Sequence, residues 1–363
     1  MTPVRIGLLN YADVLNFGDV LFPLLAEREL QARLPKASFA FISPSGAEVA
    51  GRKAVRYDRA MLEDHDALLM CGGELVHRFD AMLSGIYERF GLGAIAQPTD
   101  LVFGWTRTPG PFKAWVGLGV PAPTPEAGAA IGAALPGLDF VAARGSRSRA
   151  RLEACGAAAG SVRQCRDIGW LFPRLLRGRP APPPPAGGKP YLAVQAFTIP
   201  DPDALARRLE AVAGRLGVAI VLVPLTTCWA DEASLERLRQ ASGGAFAVVD
   251  YRMDVLDKLA ILGGAAGYIG QSMHGFIGAA AQGRPAGIWA AHGDDKFAEL
   301  LGDAGLGDLR TGDATGIERL AGEIFAAGGA RFLAAAAEAE ANVDALFDAL
   351  AAAIASHGPR RHG

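Results

Sequence analysis

Gly270-Gln271-Ser272-Met273-His274-Gly275-Phe276 is the stretch from which the fold can be read. It follows the apolar pair Tyr268-Ile269 and opens a run of small residues that closes at Gln282-Gly283-Arg284-Pro285. A buried strand, a polar loop and a small-residue helix in that order make half of a βαβ unit. In open parallel sheets such loops, at the carboxyl ends of strands, are where ligands bind. The stretch also holds His274, one of six histidines, and imidazole is the side chain that titrates nearest neutral pH.

Outward from this stretch the same alternation recurs. Toward the amino terminus, strands are predicted over residues 4–9, 38–42, 54–57, 66–70, 113–119 and 140–143, with helices over about 18–33, from about 76, over 124–135 and over 146–155. Asn16, Asp19 and Thr124 are helix-cap residue types, and Pro23 and Pro125 fit early helical turns. The run Pro180-Ala181-Pro182-Pro183-Pro184-Pro185 then interrupts the pattern; such a run is an extended spacer. Beyond it, strands over 191–197, 218–225, 246–250 and 286–289 alternate with helices over 202–216, 231–240 (with Asp231 as cap) and 253–262. A final alanine-rich helix covers 331–355. The prediction is α/β: two Rossmann-like doubly wound domains facing a cleft, as in glycosyltransferase-B proteins. Residues 1–175 form the amino-terminal domain on the acceptor side and 176–190 a Pro/Gly-rich linker. Residues 191–330 form the carboxyl-terminal domain on the donor side, and 331–363 a helix returning to the first domain.

The chain has 363 residues, half of them hydrophobic, and a formal net charge of −2. That supports a large core and excludes an overall basic surface that would draw nucleic acid. Cys71, Cys155, Cys165 and Cys228 lack C-x-x-C spacing, and no H-x-x-x-H pair occurs, so neither a disulfide framework nor a metal site is predicted. Asp64-His65-Asp66 falls at the amino end of a strand, and Asp201-Pro202-Asp203 has the residue types of a helix start. No leader-like segment and no apolar run of membrane-spanning length is read, which predicts a cytoplasmic protein.

Several short motifs stand in a particular order: Asn16-Phe17-Gly18-Asp19, Cys71-Gly72-Gly73-Glu74, Gly117-Leu118-Gly119, Arg144-Gly145-Ser146-Arg147-Ser148, Cys165-Arg166-Asp167-Ile168, Gln271-Ser272-Met273-His274 with Gly283-Arg284-Pro285, and Lys296. In that order the chain resembles the polysaccharide pyruvyl transferase family. It departs from the family pattern at Ser272, where an arginine is usual two residues before the histidine, at Glu74 in place of a third glycine, and at Ile168 in place of a proline.

The resemblance implies ketal formation on a sugar of a surface polysaccharide or glycoconjugate. Phosphoenolpyruvate is the co-substrate, with no other cofactor. The acceptor is a sugar or a lipid-linked oligosaccharide, compatible with peripheral membrane association. Such a reaction needs a proton donor, a hydroxyl base and a cradle for a trianion. His274 and Glu74 are the catalytic candidates. Asn16, Gly18, Asp19, Gly73, His77, Arg144, Arg147, Ser272 and Lys296 are the substrate-binding candidates, Arg144 first among the cations because guanidinium grips phosphate or carboxylate with two parallel bonds. Each has a structural counter-reading: helix capping for Asn16, Asp19 and His274, a dipole partner for Glu74, a solvated face for the arginines and Lys296, a hinge anchor for Asp167. Trp115, Trp170 and Trp229 read as core. The rivals in function are a nucleotide-sugar glycosyltransferase of the same architecture and a non-catalytic glycan-binding relative.

Overall fold

Arg5–Leu9 (β1) is an inner strand of the first sheet in a computed structural model that describes residues 3–76, 80–92, 100–290, 295–307 and 309–358. Around it lie β2 (Ser38–Ser43), β3 (Val55–Arg56), β4 (Ala67–Cys71), β5 (Phe112–Leu118), β6 (Phe140–Arg144) and β7 (Val162–Cys165). Every pairing is parallel, in the order β3-β2-β1-β4-β5-β6-β7. A parallel sheet is covered on both faces, so its inner strands read as unbroken apolar runs. Ala-Leu-Leu-Met-Cys of β4 is buried throughout. The one charge in β5, Lys113, is accommodated because its Nζ donates to the carbonyls of Thr108 and Pro111, each at 3.0 Å.

The second sheet comprises β8 (Tyr191–Gln195), β9 (Ala219–Leu222), β10 (Ala247–Val248), β11 (Gly267–Gly270), β12 (Ala286–Trp289) and β13 (Arg310–Thr311), in the order β10-β9-β8-β11-β12-β13 and again parallel. Both sheets therefore follow the Rossmann strand order, with topological switch points between β1 and β4 and between β8 and β11.

Proximity along the backbone divides the chain into two units: Met1–Val14 with Gly18–Ile168 and Ala341–Gly363, and Leu15–Phe17 with Gly169–Glu340. The proline run lies inside the second unit, between the 3-10 helix Ile168–Leu176 and β8. Leu15–Phe17 joins that unit through an antiparallel bridge of Asn16 to Thr226 and a hydrogen bond from the Phe17 amide to the Leu225 carbonyl at 2.9 Å.

Pro23 is the seventh residue of the helix Phe17–Arg33, within its second turn as expected, where its missing N–H removes the donor normally offered to the Asp19 carbonyl. Two local expectations are corrected. The strand expected over 246–250 shrinks to the two residues of β10. The final helix is Ile317–His357, interrupted at Gly328 (φ 66°, ψ 164°). Its start was hidden because Gly328-Gly329 reads as a break. The carboxyl-terminal part of this helix belongs to the first unit: Arg33 bonds Glu29 (2.8 Å), Asp344 (3.0 Å) and Asp348 (2.7 Å), with its guanidinium over the Phe347 ring. Among the described residues this is the one helix long and apolar enough to cross a membrane. Here Phe332, Val343, Phe347 and Leu350 on it are buried in protein.

The turn after β4 depends on Gly72. Its φ of +67° disfavours any Cβ, and a Cβ there would run into the ring of the fully buried Phe22. Gly72→Ala is expected to cost about 2–4 kcal/mol, the sum of overpacking and left-handed strain. Urea denaturation would read this as a lower midpoint at unchanged slope.

Candidate active site

At the carboxyl ends of the strands of the first unit five motifs converge. Asp19 is the third residue of its helix and is 8 % exposed. Gly73 gives it room: a Cβ on Gly73 would stand 3.1 Å from Asp19 Oδ1. Arg144 closes β6 and is likewise buried. Its Nη1 donates to Asp167 Oδ2 at 3.1 Å, and its Nη2 lies 3.8 Å from Glu74 Oε1. Gly119 is the space this guanidinium occupies, since a Cβ there would be 2.5 Å from Nη2. The Gly-Gly turn thus accommodates the aspartate of Asn16-Phe17-Gly18-Asp19, and Gly117-Leu118-Gly119 accommodates Arg144.

Among the described residues, Arg144 is the cation set with the carboxyl groups of Asp19, Glu74 and Asp167. Burial pushes the Asp19 carboxyl up to about 7, partly offset by attraction to Arg144. Beside it, the Tyr87 hydroxyl donates to Asp13, which also accepts from the Ser45 amide (3.0 Å) and hydroxyl (2.6 Å). Burial, then the charge of Asp13, raises the Tyr87 phenol. Arg144 was expected to present an open guanidinium to an anion; instead Asp167 engages it, which also gives Asp167 a role other than hinge anchor. On the helix Gly145–Ala154, Arg149 pairs with Glu153 (2.9 Å), Arg151 donates to the Val120 carbonyl (2.7 Å) and Arg147 is exposed. His77 lies outside the described residues.

In the second unit the opening stretch sits at the switch point. Ser272 is the cap of the helix Met273–Ala280, its Oγ accepting from the Gly275 amide at 3.1 Å. The helix is therefore capped by Ser272 and not by His274, which is the second helical residue and half-buried. An edge-to-face contact sets the imidazole against Phe172, 6.3 Å between centroids, and Phe172 makes the same kind of contact with Phe17, also at 6.3 Å. The Phe17 ring in turn comes within 3.5 Å of where a Gly278 Cβ would be, one turn beyond His274. Lys296 Nζ lies 5.4 Å from the centroid of its neighbour Phe297.

A hydrogen-bond network fixes this loop. The Gln271 amide donates to Gln195 Oε1 (3.0 Å), and Gln271 Oε1 accepts from the amides of Phe197 (2.9 Å) and Thr198 (3.0 Å). Gln195 Nε2 donates to Thr226 Oγ1 (3.1 Å) and Asp231 Oδ2 (3.3 Å). The same Oδ2 accepts from the amides of Leu225 and Thr226, each at 2.6 Å. Asp231 is thus a fully buried hub that ties the loops after β8 and β9, and through Gln195 the loop after β11. Its expected role as helix cap is corrected: Ala230, at φ 59°, holds the cap position. Sequence reasoning passed over Gln195, although a glutamine closing the apolar run Tyr-Leu-Ala-Val was the signal for it. Asp231→Ala would strand two buried amides and remove the largest of the carboxylate attractions on Lys258. The expected loss is about 3–4 kcal/mol, readable by chemical denaturation.

Lys258 is the other group that sequence did not disclose. It is buried, donates to the Tyr251 carbonyl at 2.7 Å, and is lowered to about 8 by desolvation against the pull of Asp231, Asp250, Glu232 and Asp254. Nearby, Pro224, Glu232, Glu236, Val249 and Tyr251 help line a pocket of about 440 Å³. Trp115 and Trp170 are core as expected, whereas Trp229 is 47 % exposed. Among the described residues, no cluster of His, Cys, Asp and Glu is placed to hold a metal ion.

Two parallel α/β units in Rossmann order define a glycosyltransferase-B type of fold, and solved structures share it. A putative UDP-N-acetylglucosamine 2-epimerase from Listeria monocytogenes superposes with a TM-score of 0.68 at 12 % identity, over 98 % of this chain and 97 % of that one. A UDP-N-acetylglucosamine 2-epimerase from Rickettsia bellii (TM-score 0.56, 11 % identity, 99 % and 97 % covered) and a glycosyltransferase from Rickettsia africae (0.56, 10 %, 98 % and 97 %) are similar in the same way. At these identities the likeness is one of fold. The sequence itself is more specific: the chain belongs to the polysaccharide pyruvyl transferase family, whose pattern matches residues 16–288. That span includes Asn16, Gly73, Arg144, Asp167 and His274 and stops short of Lys296. No match is found among curated proteins.

Proposed function

We propose that this chain transfers the three-carbon unit of phosphoenolpyruvate to two hydroxyls of one sugar in a surface polysaccharide or glycoconjugate, closing a pyruvate ketal and releasing phosphate. The observation that carries this reading is His274. It stands in the family's late motif, directly after β11, with its ring oriented by the buried Phe172. There it is suited to protonate the enol carbon. The amino terminus of Met273–Ala280 favours an anion through its dipole. Because Ser272 spends its hydroxyl on the helix cap, the cation of the family's usual arginine must come from elsewhere, and Arg147 and Lys296 are the candidates. Glu74 is the sequence-derived candidate for hydroxyl base. Asn16, Gly18 and Gly73 shape the loops that hold these groups. The reading needs no cofactor beyond phosphoenolpyruvate, takes a sugar or lipid-linked oligosaccharide as acceptor, and places the protein in the cytoplasm, in peripheral contact with a membrane where the acceptor is lipid-linked.

The fold of its neighbours favours a second reading, a nucleotide-sugar glycosyltransferase. One experiment separates the two: incubation with phosphoenolpyruvate or with UDP-sugars, each with a panel of glycans, following phosphate or nucleotide release. Acceptor-dependent phosphate release from phosphoenolpyruvate supports the first reading. Acceptor-dependent UDP release with no such phosphate release supports the second.

A further inference from the structure

We infer that the exposed side chains of Trp229 and Phe197 form a platform for the sugars that flank the reacting one, so that the acceptor is a chain of sugars and not a single sugar. The inference deepens the reading just given and rests on it for the reaction, while the platform can be tested without turnover.

Large apolar side chains scattered singly over a surface are ordinary, but a group of them on one face marks an interaction site. Among the described residues Leu15, Val55, Phe197, Trp229, Val248 and Leu333 are exposed in this way. Three of them stand at the carboxyl ends of neighbouring strands of the second sheet: Phe197 after β8, Trp229 after β9 and Val248 at the end of β10. Leu15 joins them, because its carbonyl accepts from Thr227 Oγ1 at 2.9 Å. This end of a parallel sheet is the one that binds ligands.

The two aromatic residues are held in place by their backbone. Trp229 ends the 3-10 turn Thr227–Trp229, its amide bonded to the Thr226 carbonyl at 2.8 Å, directly ahead of the helix Asp231–Ala241. Phe197 is pinned to that same helix, its carbonyl accepting from Ser234 Oγ at 2.8 Å. Its amide donates to Gln271 Oε1 at 2.9 Å, which ties it to the loop that carries His274. Ala230, next to Trp229, and Leu15 are left-handed without being glycine, at φ 59° and 50°. Left-handed backbone is unfavourable for such residues and persists where the surrounding structure over-determines it. The loops are thus fixed while their large side chains are left to water.

The surroundings select the ligand. Along the same helix lies the pocket of about 440 Å³ that Val248 and Tyr251 line together with Glu232, Glu236 and Asp250. Among the described residues its lining holds carboxylates and no lysine or arginine. The dipole at the start of the helix is already matched by Asp231 and Glu232. An anion such as a diphosphate is therefore disfavoured here. A neutral polyol with apolar ring faces fits: its C–H face lies on an aromatic ring and its hydroxyls donate to carboxylates. From Phe197 to Val248 the surface crosses three adjacent strands, about 10 Å, which is wider than one sugar ring. Because Phe197 is tied to Gln271, the platform adjoins the reacting centre, with the reacting ring by His274 and its neighbours on Phe197 and Trp229.

The test is calorimetric titration of the full chain, without phosphoenolpyruvate, using four-sugar cello-, manno-, galacto- and chito-oligosaccharides and the methyl glycosides of the same sugars. Wild type is expected to bind at least one oligosaccharide about tenfold or more tighter than its methyl glycoside, and Trp229→Ala and Phe197→Ala each to lose about tenfold or more of that affinity. Both side chains are exposed, so neither truncation opens a core cavity, and thermal unfolding is the control. No binding of any oligosaccharide, equal affinity for an oligosaccharide and its methyl glycoside, or variants within about twofold of wild type overturns the platform. Trp229-dependent binding of UDP in place of a glycan overturns it as well. With turnover, the loss in Trp229→Ala is expected in KM for the oligosaccharide and not in kcat, as for binding that is equal in ground and transition states, and a fall in kcat at constant KM contradicts it. Trp229-dependent glycan binding with no phosphate released from phosphoenolpyruvate keeps the platform and removes the ketal reading, so the two failures are told apart.

Discussion

Arg144→Leu is expected to destabilise the protein by about 3–5 kcal/mol at pH 7 and to abolish phosphoenolpyruvate-dependent turnover. Leucine keeps much of the bulk, so the loss reports charge. Arg144 is buried and holds the buried Asp167 at 3.1 Å. Without it the buried carboxyls of Asp167 and Asp19 lose the guanidinium that attracts both. Acid should relieve the defect, because a protonated carboxyl no longer needs a counter-charge. Urea midpoints at pH 7 and pH 5 would show this as a deficit that shrinks at the lower pH. A deficit below about 1 kcal/mol at both would mean that the pair is solvated like a surface one.

Asp19 leaves its own mark on the same pH axis, with the sign opposite to that of a salt-bridged acid. Its carboxyl stands near 7 when folded against an ordinary 3.8. As pH rises, the unfolded chain ionises first and the folded chain holds its proton. Asp19's contribution to native stability is therefore most favourable below about pH 4, falls between about pH 4 and pH 7, and is level above. The window corresponds to a penalty on the order of 4 kcal/mol, so Asp19→Asn is expected to be the more stable protein at neutral pH.

His274→Gln is expected to lower kcat by roughly 10²–10⁴-fold with little change in stability. Glutamine is close in size, can hydrogen-bond, and cannot titrate. Because the ring lies half-buried against Phe172 at 6.3 Å and not in the core, its replacement opens no large cavity. Steady-state kinetics paired with thermal unfolding make the check: activity lost with Tm held supports a chemical role, and both lost together would mark a packing role.

Much of this was legible in the sequence. Strands buried on both faces appear as apolar runs, which is why β1, β4 and β11 stood out, and the loops after them are where Asp19, Glu74 and His274 were found. Two of the four edges were not: β7 is Val-Arg-Gln-Cys and β13 is Arg-Thr, with too few apolar residues to show a pattern. Pairings were also out of reach. Arg144 and Asp167 could each be named, but only the fold brings residues 23 apart into contact and converts an expected anion binder into the counter-ion of buried acids. Asp231 stands where a cap would, since aspartate favours helix starts, yet its carboxylate reaches back to Leu225 and Thr226. Ser272 shows the converse: read as a substrate position, it has the residue type of a cap and acts as one.

The central claim is that this chain makes a pyruvate ketal with His274 as the proton donor to the enol carbon. The most direct measurement is to incubate the purified chain with 13C-labelled phosphoenolpyruvate and a panel of glycans, then record carbon spectra of the recovered sugar. A labelled quaternary ketal carbon and its methyl, formed with one phosphate per ketal and missing with His274→Gln, is the result expected. Label that stays in phosphoenolpyruvate or appears only as free pyruvate with every glycan, or ketal formation undiminished in His274→Gln, would contradict it.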